Sequence, residues 1–123
     1  MAKKRTVRSI PQERTPVREL DPLERSANFE EVNCGYTEAE AVLESQRCLF
    51  CPDPKCIAGC PVSINIPGFI ERIGERDFRG AYDIITGTNL LPAVCGRVCP
   101  QENQCEGVCV VGENLVLVAI GRV

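Results

Sequence analysis

The sequence of 123 residues contains no histidine and no tryptophan, and only four Phe and two Tyr. Without histidine the chain cannot build a serine–histidine–aspartate triad, a Cys₂His₂ zinc site or a c-type haem attachment site. A core so poor in aromatic side chains gains from cross-links or a bound metal. The sequence offers the means for this, because it contains nine cysteines.

Charge and hydropathy exclude further classes. No apolar run reaches the length of a membrane span, and the start of the chain lacks the apolar stretch of a secretory signal. The net charge of −3 argues against nucleic acid as the main partner. We therefore predict a cytoplasmic protein with no membrane or nucleic-acid partner, whose reduced cysteines are metal ligands.

The charge is unevenly distributed along the chain. Residues 1–18 contain six basic residues and one acid, whereas the remainder is acidic. We predict that residues 1–18 form a basic, flexible arm, which could dock on an acidic surface of a partner subunit. Residues 19–123 are predicted to form one helical domain.

Helix start signals predict an all-α fold. Capping residues or an early proline begin predicted helices at Asp21, Thr37, Pro67, Asp77 and Pro92. The apolar tail, residues 115–120, predicts a short strand or the beginning of another helix. The residues predicted to form the core and to shield a bound metal are Ile64, Ile66, Phe69, Ile70, Leu90 and Leu91.

Eight of the nine cysteines form two groups. The first contains Cys48, Cys51, Cys56 and Cys60, with Pro61 following; the second contains Cys95, Cys99, Cys105 and Cys109. The first group resembles the bacterial ferredoxin run C-x₂-C-x₂-C-x₃-C-P, whose fourth cysteine ligates the other of two clusters. By the same logic, the first three cysteines hold one [4Fe–4S] cluster and Cys60 a second. Cys34 stands apart and is predicted to be a buried structural cysteine.

Other uses of these cysteines stay open. Cys48 and Cys51 could form a dithiol redox pair, and a structural Cys₄ zinc-binding interaction module also begins with C-x₂-C. A disulfide framework fits less well, because the cysteine count is odd. Iron–sulfur binding is favoured over zinc because no second C-x₂-C follows the first.

The motifs around the cysteines carry a resemblance over residues 14–123. They include Arg47-Cys48-Leu49-x-Cys51, Cys56-x₂-Gly59-Cys60-Pro61, Cys95-Gly96-Arg97-Val98-Cys99-Pro100 and Cys105-Glu106-Gly107-x-Cys109. The chain resembles the N-terminal iron–sulfur domain of the glutamate synthase small (β) subunit family. Dihydropyrimidine dehydrogenase and the large subunit of NADH-dependent ferredoxin:NADP oxidoreductase carry the same module.

The resemblance implies an α-helical ferredoxin-like domain with cluster-binding loops and two [4Fe–4S] clusters. One cluster would be held by Cys48, Cys51, Cys56 and Cys109, and the other by Cys60, Cys99 and Cys105. The family's fourth ligand to the second cluster is Gln or Glu, and it aligns just beyond Val123. Cys95 would then be a neighbour, and the second cluster is expected to be labile or absent in this chain unless Cys95, Glu102, Glu113 or the terminal carboxylate substitutes.

The resemblance also implies electron transfer. The clusters would relay electrons between a flavin and NADPH-binding module of the same parent protein and a large catalytic or ferredoxin-type partner subunit, in a glutamate synthase-like oxidoreductase. FAD and NADPH would bind only in downstream domains, so this chain would be a fragment of a longer flavoprotein subunit, or a separate small subunit, with no catalytic site of its own. Gly59, Gly96 and Gly107 beside the ligands would let the backbone approach the cluster, and Arg97 is expected to pair with an acid or with cluster charge.

Overall fold

The computed structural model describes residues 5–123, which form short helices joined by turns. Across these residues there is no strand, and one isolated antiparallel bridge joins Glu19 to Asn33. The all-α class is therefore confirmed. The α-helices are α1 (Pro22–Ser26), α2 (Glu38–Ser45), α3 (Lys55–Gly59), α4 (Ile66–Gly74), α5 (Phe78–Thr86) and α6 (Pro92–Val98), and single 3₁₀ turns cover Val7–Ser9, Gln101–Asn103 and Val110–Glu113.

The helices begin where their capping residues predict. Thr37 and Glu40 form a reciprocal capping box at the start of α2. The Asp21 and Asp77 side chains accept backbone N–H groups in the first turns of α1 and α5. Helix α4 begins one residue before Pro67, because the Asn65 side chain accepts the Gly68 N–H. Helix α3 has no side-chain cap, and its five residues were not predicted from the sequence.

Helix α4 is the centre of the core and packs against both α2 and α5. Four of its side chains are at most 4% exposed: Ile66, Phe69, Ile70 and Ile73. Ala41 of α2 and Ala81 of α5 are also buried, so the helices approach closely. The prediction of Ile66, Phe69 and Ile70 as core residues is confirmed. No helix within residues 5–123 has both the length and the apolar character needed to cross a membrane.

Three residues predicted to be buried are exposed. Leu90 and Leu91 are 90% and 63% exposed. The side chain buried at this turn is that of Asn89, whose Oδ1 accepts the Leu91 N–H at 3.0 Å, and the two leucines face outward. Cys34 is also exposed: it follows the extended residues that bridge to Glu19, and it is not the buried structural cysteine predicted.

The apolar tail forms neither a strand nor a helix within the described residues. Residues 115–119 are irregular, yet Val118, Ala119 and Ile120 are buried in the core. Because these residues form no helix or strand, their buried backbone N–H and C=O groups need hydrogen-bond partners from elsewhere in the chain. Those partners are the side chains of Glu44, in helix α2, and of Arg47, two residues beyond it.

The described part of the predicted basic arm, residues 5–18, lies against the domain; residues 1–4 are outside the described residues. Ile10 is a member of the core, and Thr15 is buried. The Tyr36 hydroxyl donates to the Thr15 carbonyl at 2.6 Å. The Arg14 guanidinium pairs with Glu106 at 3.1 Å. These contacts join the segment to both halves of the chain.

A buried ion pair connects the two ends of the chain to helix α2. The side chains of Glu44 and Arg47 are both 0% exposed, and they meet at 2.9 Å. Glu44 also accepts the N–H groups of Thr15 at 2.8 Å and Ala119 at 2.9 Å. Every charged atom therefore has a partner, which offsets the cost of removing two charges from water.

Arg47 completes this network by donating to three carbonyl oxygens. It donates to Pro11 at 3.2 Å, to Leu117 at 3.1 Å and, in a close contact, to Val116. Arg47 thus holds residues from the N-terminal segment and the irregular tail on one guanidinium. Cys48 is the next residue along the chain.

We predict that Arg47→Met lowers the free energy of unfolding by about 3 to 5 kcal/mol, because it leaves the Glu44 carboxylate buried and unpaired. Urea unfolding monitored by circular dichroism measures this loss. Arg79→Met, which breaks the exposed Arg79–Asp83 pair, is the matched control and should cost at most about 1 kcal/mol. Equal losses in the two variants would contradict the role of burial. The double variant Glu44→Gln with Arg47→Met should recover part of the loss.

Two of the glycines beside the cysteines are required by close backbone approach. A Cβ at Gly107 would lie 2.2 Å from the Glu102 carbonyl oxygen, and one at Gly59 would lie 2.9 Å from the Gln104 carbonyl oxygen. A Cβ at Gly96 would meet only the Gly121 carbonyl oxygen, at an ordinary 3.6 Å. The constraint at Gly59 and Gly107 comes from the protein's own backbone.

We predict that Gly107→Ala destabilises the turn that carries Cys105 and Cys109, because a backbone carbonyl cannot move aside as a flexible side chain can. Gly96→Ala, in helix α6, is the control and should be neutral or slightly stabilising. Thermal unfolding of both variants measures the difference. A lower midpoint for Gly96→Ala than for Gly107→Ala would contradict the prediction.

Candidate metal centre

One group of cysteines lines a small cavity of about 30 Å³ at the edge of the core. Its four thiols come from Cys48, Cys51, Cys56 and Cys109. The remaining walls are mostly apolar and include Ile66, Ile70, Val111, Val118 and Ile120. These are the four cysteines that the family resemblance assigns to one cluster.

The local backbone brings these cysteines to one cavity. Cys48 and Cys51 lie on the loop after helix α2, in which Phe50 has a left-handed φ of 51°. Cys56 lies in the first turn of helix α3. Cys109 is the residue before the 3₁₀ turn Val110–Glu113. The cysteines thus come from three separate elements around one end of helix α4.

The pKa values of three thiols in this first cavity are raised, which favours the neutral form of Cys48, Cys51 and Cys56. Burial raises the pKa of Cys48 to about 11, although a hydrogen bond from the Phe50 backbone N–H acts in the opposite direction. Burial first, and then the neighbouring thiols, raise the pKa of Cys56 to about 12. Burial first, and then the neighbouring Cys109, also raise the pKa of Cys51. Such thiols become thiolates readily only when a cation binds them.

The second group of cysteines lines a separate cavity of about 190 Å³. Its thiols belong to Cys60, Cys95, Cys99 and Cys105. Cys60 ends helix α3 with an extended backbone, so its side chain faces this cavity although Cys56, on the same helix, faces the first. Ile66 and Ile120 line both cavities and form part of the apolar wall between them.

Cys95 lines this second cavity, although the resemblance implies that it is only a neighbour of the cluster. Its Sγ is 3.6 Å from Oδ1 of the buried Asn89, and it lies one helical turn before Cys99. Partial burial, and then the thiols of Cys95 and Cys60, raise the pKa of Cys99. Burial, and then the Glu106 carboxylate, raise the pKa of Cys105 to about 11. Two amide side chains, Gln101 and Gln104, complete the polar part of the wall.

The donor chemistry of both cavities fits an iron–sulfur cluster. A structural zinc ion needs four ligands at about 2.0 to 2.3 Å from one point. Within residues 5–123, no group of three or more Cys, Asp or Glu side chains closes around a single ion in this way. The thiols instead surround a space, four to each cavity, which is the ligand type and number that a [4Fe–4S] cluster takes.

Arg97, predicted to pair with an acid or with cluster charge, pairs with an acid outside both cavities. Its Nε and Nη2 donate to the two Glu31 carboxylate oxygens at 2.6 and 3.1 Å. This bidentate pair lowers the pKa of Glu31, and the Arg97 side chain remains 60% exposed. The pair connects helix α6 to the segment before Cys34 and does not line either cavity.

Three polar residues beside the cavities were not found by sequence reasoning. Asn89 touches Cys95, Arg5 donates to the Cys48 carbonyl oxygen, and the buried Glu106 follows Cys105 directly. Only Glu106 had a local signal, its position next to a cysteine. The other two reach the sites through contacts that the sequence pattern does not encode.

Comparison with known proteins gives a consistent result. Residues 25–123 match the family described as dihydropyrimidine dehydrogenase domain II, 4Fe-4S cluster. The glutamate synthase [NADPH] small chain of Halomonas elongata is 38% identical over 80% of this chain and 21% of its own length. The corresponding small chain of Escherichia coli is 37% identical over the same shares.

A second kind of relative bears the name of a different enzyme. The NAD-dependent dihydropyrimidine dehydrogenase subunit PreT of Salmonella typhimurium is 41% identical over 66% of this chain and 20% of its own length. The chain thus spans about a fifth of the length of the curated relatives it matches. The family match covers most of the chain, including every cysteine that lines either cavity. The chain therefore belongs to the family of 4Fe–4S domains represented by domain II of dihydropyrimidine dehydrogenase.

Proposed function

We propose that this chain is an electron-transfer domain that carries two [4Fe–4S] clusters. The observation that carries the proposal is the sorting of eight cysteines into two cavities, four to each. When bound, such clusters supply one-electron transfer at a potential set by their protein surroundings. The ferredoxin-like α-helical arrangement is part of this proposal, supported by the short helices and cysteine-bearing loops.

We infer that Cys48, Cys51, Cys56 and Cys109 hold the first cluster, and that Cys60, Cys99 and Cys105 hold the second. The first set is supported by its shared apolar cavity. For the second set, Cys95 lines the same cavity and is the nearest candidate for a fourth thiol, although family resemblance treats it as a neighbour. Asn89 Oδ1 accepts a hydrogen bond from the Cys95 thiol and orients it.

The chain's own residues bury the sites, orient their ligands and supply hydrogen bonds. A backbone hydrogen bond from the Phe50 N–H lowers the pKa of Cys48 against the larger effect of burial. Amide donors of this kind stabilise thiolate charge and are one of the factors that set a cluster's potential. Ile66 and Ile120 exclude water between the two cavities.

We propose that the domain relays electrons within a larger oxidoreductase. The relatives named glutamate synthase small chain and dihydropyrimidine dehydrogenase subunit support this class of enzyme. Its partners would be flavin- and NADPH-binding domains of the same parent protein and a large catalytic or ferredoxin-type subunit. The exposed apolar residues Leu90, Leu91, Val94 and Val98, near the second cavity, offer a surface for such a contact.

We predict that the anaerobically purified 123-residue chain contains about eight iron and eight sulfide per chain, four for each cluster, because Cys95 lines the second cavity and can complete its ligand set. Cys51→Ser and Cys99→Ser should each reduce both contents to about four, because each removes a ligand from one site. Cys34→Ser is the matched control and should change neither, since Cys34 is exposed and lines neither of the two cysteine cavities. Metal analysis and the sulfide assay measure this.

The same analysis decides between iron and the structural zinc module. Stoichiometric zinc without acid-labile sulfide would overturn the proposed function in favour of the alternative. Cys95→Ser tests the second ligand set: unchanged iron identifies Cys95 as a neighbour, and loss of about four iron identifies it as a ligand.

We predict that the iron-free chain loses stability as pH rises above 9. The pKa values of Cys48 and Cys56 rise from 9.0 to about 11 and about 12 in the folded chain. A raised folded-state pKa stabilises the fold below the unfolded value, and this contribution disappears as pH rises towards the folded value. Urea midpoints between pH 8 and about pH 11 measure the loss. The Cys48→Ala, Cys56→Ala double variant is the control; an equally steep decline there would contradict the prediction.

A further inference from the structure

The N-terminal segment, residues 5–15, places one arginine beside the loop of the first group of cysteines and another beside the residue that follows Cys105. Arg5 Nη1 donates to the carbonyl oxygens of Ser45 at 3.2 Å, Gln46 at 3.0 Å and Cys48 at 3.4 Å. Its guanidinium carbon also lies 5.0 Å from the centroid of the Phe50 ring. The positive charge of Arg5 therefore lies on the loop that carries Cys48 and Cys51.

The charge of Arg5 is not cancelled by its contacts. Within residues 5–123, its partners are carbonyl oxygens and an aromatic ring, not a carboxylate. These partners orient the guanidinium and leave its unit charge in place. The Arg5 guanidinium thus lies at the edge of the first site; Glu71 and Glu75 line the same surface groove as Arg5, but neither forms a salt bridge with it among the described residues.

Arg14 acts on the second site indirectly, through the Glu106 carboxylate. Its Nη2 donates to Glu106 Oε2 at 3.1 Å, and Glu106 is only 4% exposed. The other Glu106 oxygen accepts the N–H of Gly121, a residue of the cavity wall, at 3.2 Å. Arg14 therefore offsets a buried negative charge directly beside Cys105.

Two anchors fix the distance between these arginines. Ile10 is a core residue, and the Thr15 N–H donates to the buried Glu44 carboxylate at 2.8 Å. Ile10 lies between the two arginines in the sequence, and Thr15 directly follows Arg14. The segment therefore has a fixed position on the domain. Arg8 lies on the same segment, and its side chain is exposed.

We propose that residues 5–15 form an electrostatic strap that sets the two reduction potentials separately, Arg5 for the first site and the Arg14–Glu106 pair for the second; this rests on the proposed function. One-electron reduction by an external donor adds one negative charge to a site and changes no covalent bond. A nearby cation stabilises the reduced form and raises the potential, and a nearby carboxylate lowers it. Partial burial limits the screening of both effects by salt.

Protein-film voltammetry of the iron-loaded 123-residue chain tests the proposal. The two signals are assigned with Cys51→Ser and Cys99→Ser, each of which retains one site. Arg5→Gln should lower the first potential alone, and Arg14→Gln should lower the second alone. Glu106→Gln should raise the second potential. Arg8→Gln removes the same charge from the same segment and should move neither signal.

The opposite signs of the Arg14 and Glu106 variants separate charge from structural damage, which would shift both in one direction. Arg14→Lys keeps the charge and should restore most of the second potential if Arg14→Gln folds poorly. Shifts of equal size at both sites in every variant, or no shift, would overturn the strap. A chain that binds no iron would overturn the proposed function instead. A chain with one cluster would overturn the two-cluster assignment, and the variants at that cavity would still decide for or against the strap.

Discussion

The charges of Glu44 and Arg47 meet where water cannot reach them, and the architecture depends on how completely they are paired. A buried ion pair stabilises a fold only when hydrogen bonds satisfy its remaining donors and acceptors. Here those hydrogen bonds come from the N-terminal segment and from the irregular tail. A chain with short helices and few aromatic residues thereby gains a fixed centre, which the helices alone could not provide. Cys48, which follows Arg47 directly, is held in position by this ion pair and its hydrogen bonds.

The core and the two cavities share the same side chains. Ile66 and Ile120 pack in the core and line both cavities. Burial that stabilises helix α4 therefore also keeps water from both groups of thiols. The shared apolar wall explains how 123 residues can hold eight half-buried cysteines without a large hydrophobic interior. The same packed side chains therefore stabilise the domain and shield both groups of cysteines from water.

Much of the helical structure could be predicted because its signals are local. Capping side chains and helical spacing of apolar residues mark α2, α4 and α5, and cysteine spacing separates Cys56 from Cys60. Helix α3 was missed because nothing caps it. Leu90 and Leu91 were assigned to the core because hydrophobicity alone does not say which way a turn faces, and the buried Asn89 decides this. The contacts of Arg47 with Pro11 and Val116 span 36 and 69 positions, beyond the reach of any local pattern.

Helix α3 has a consequence for how such a domain can vary in length. Its first turn carries Cys56 towards one cavity, and its last residue leads to Cys60 in the other. One inserted or deleted residue would rotate the following side chain by about 100° around the helix axis. The interval between Cys105 and Cys109 joins the same two cavities in the reverse order. We therefore expect insertions and deletions to be tolerated only in stretches that do not cross from one cavity to the other, such as the exposed turn after helix α1.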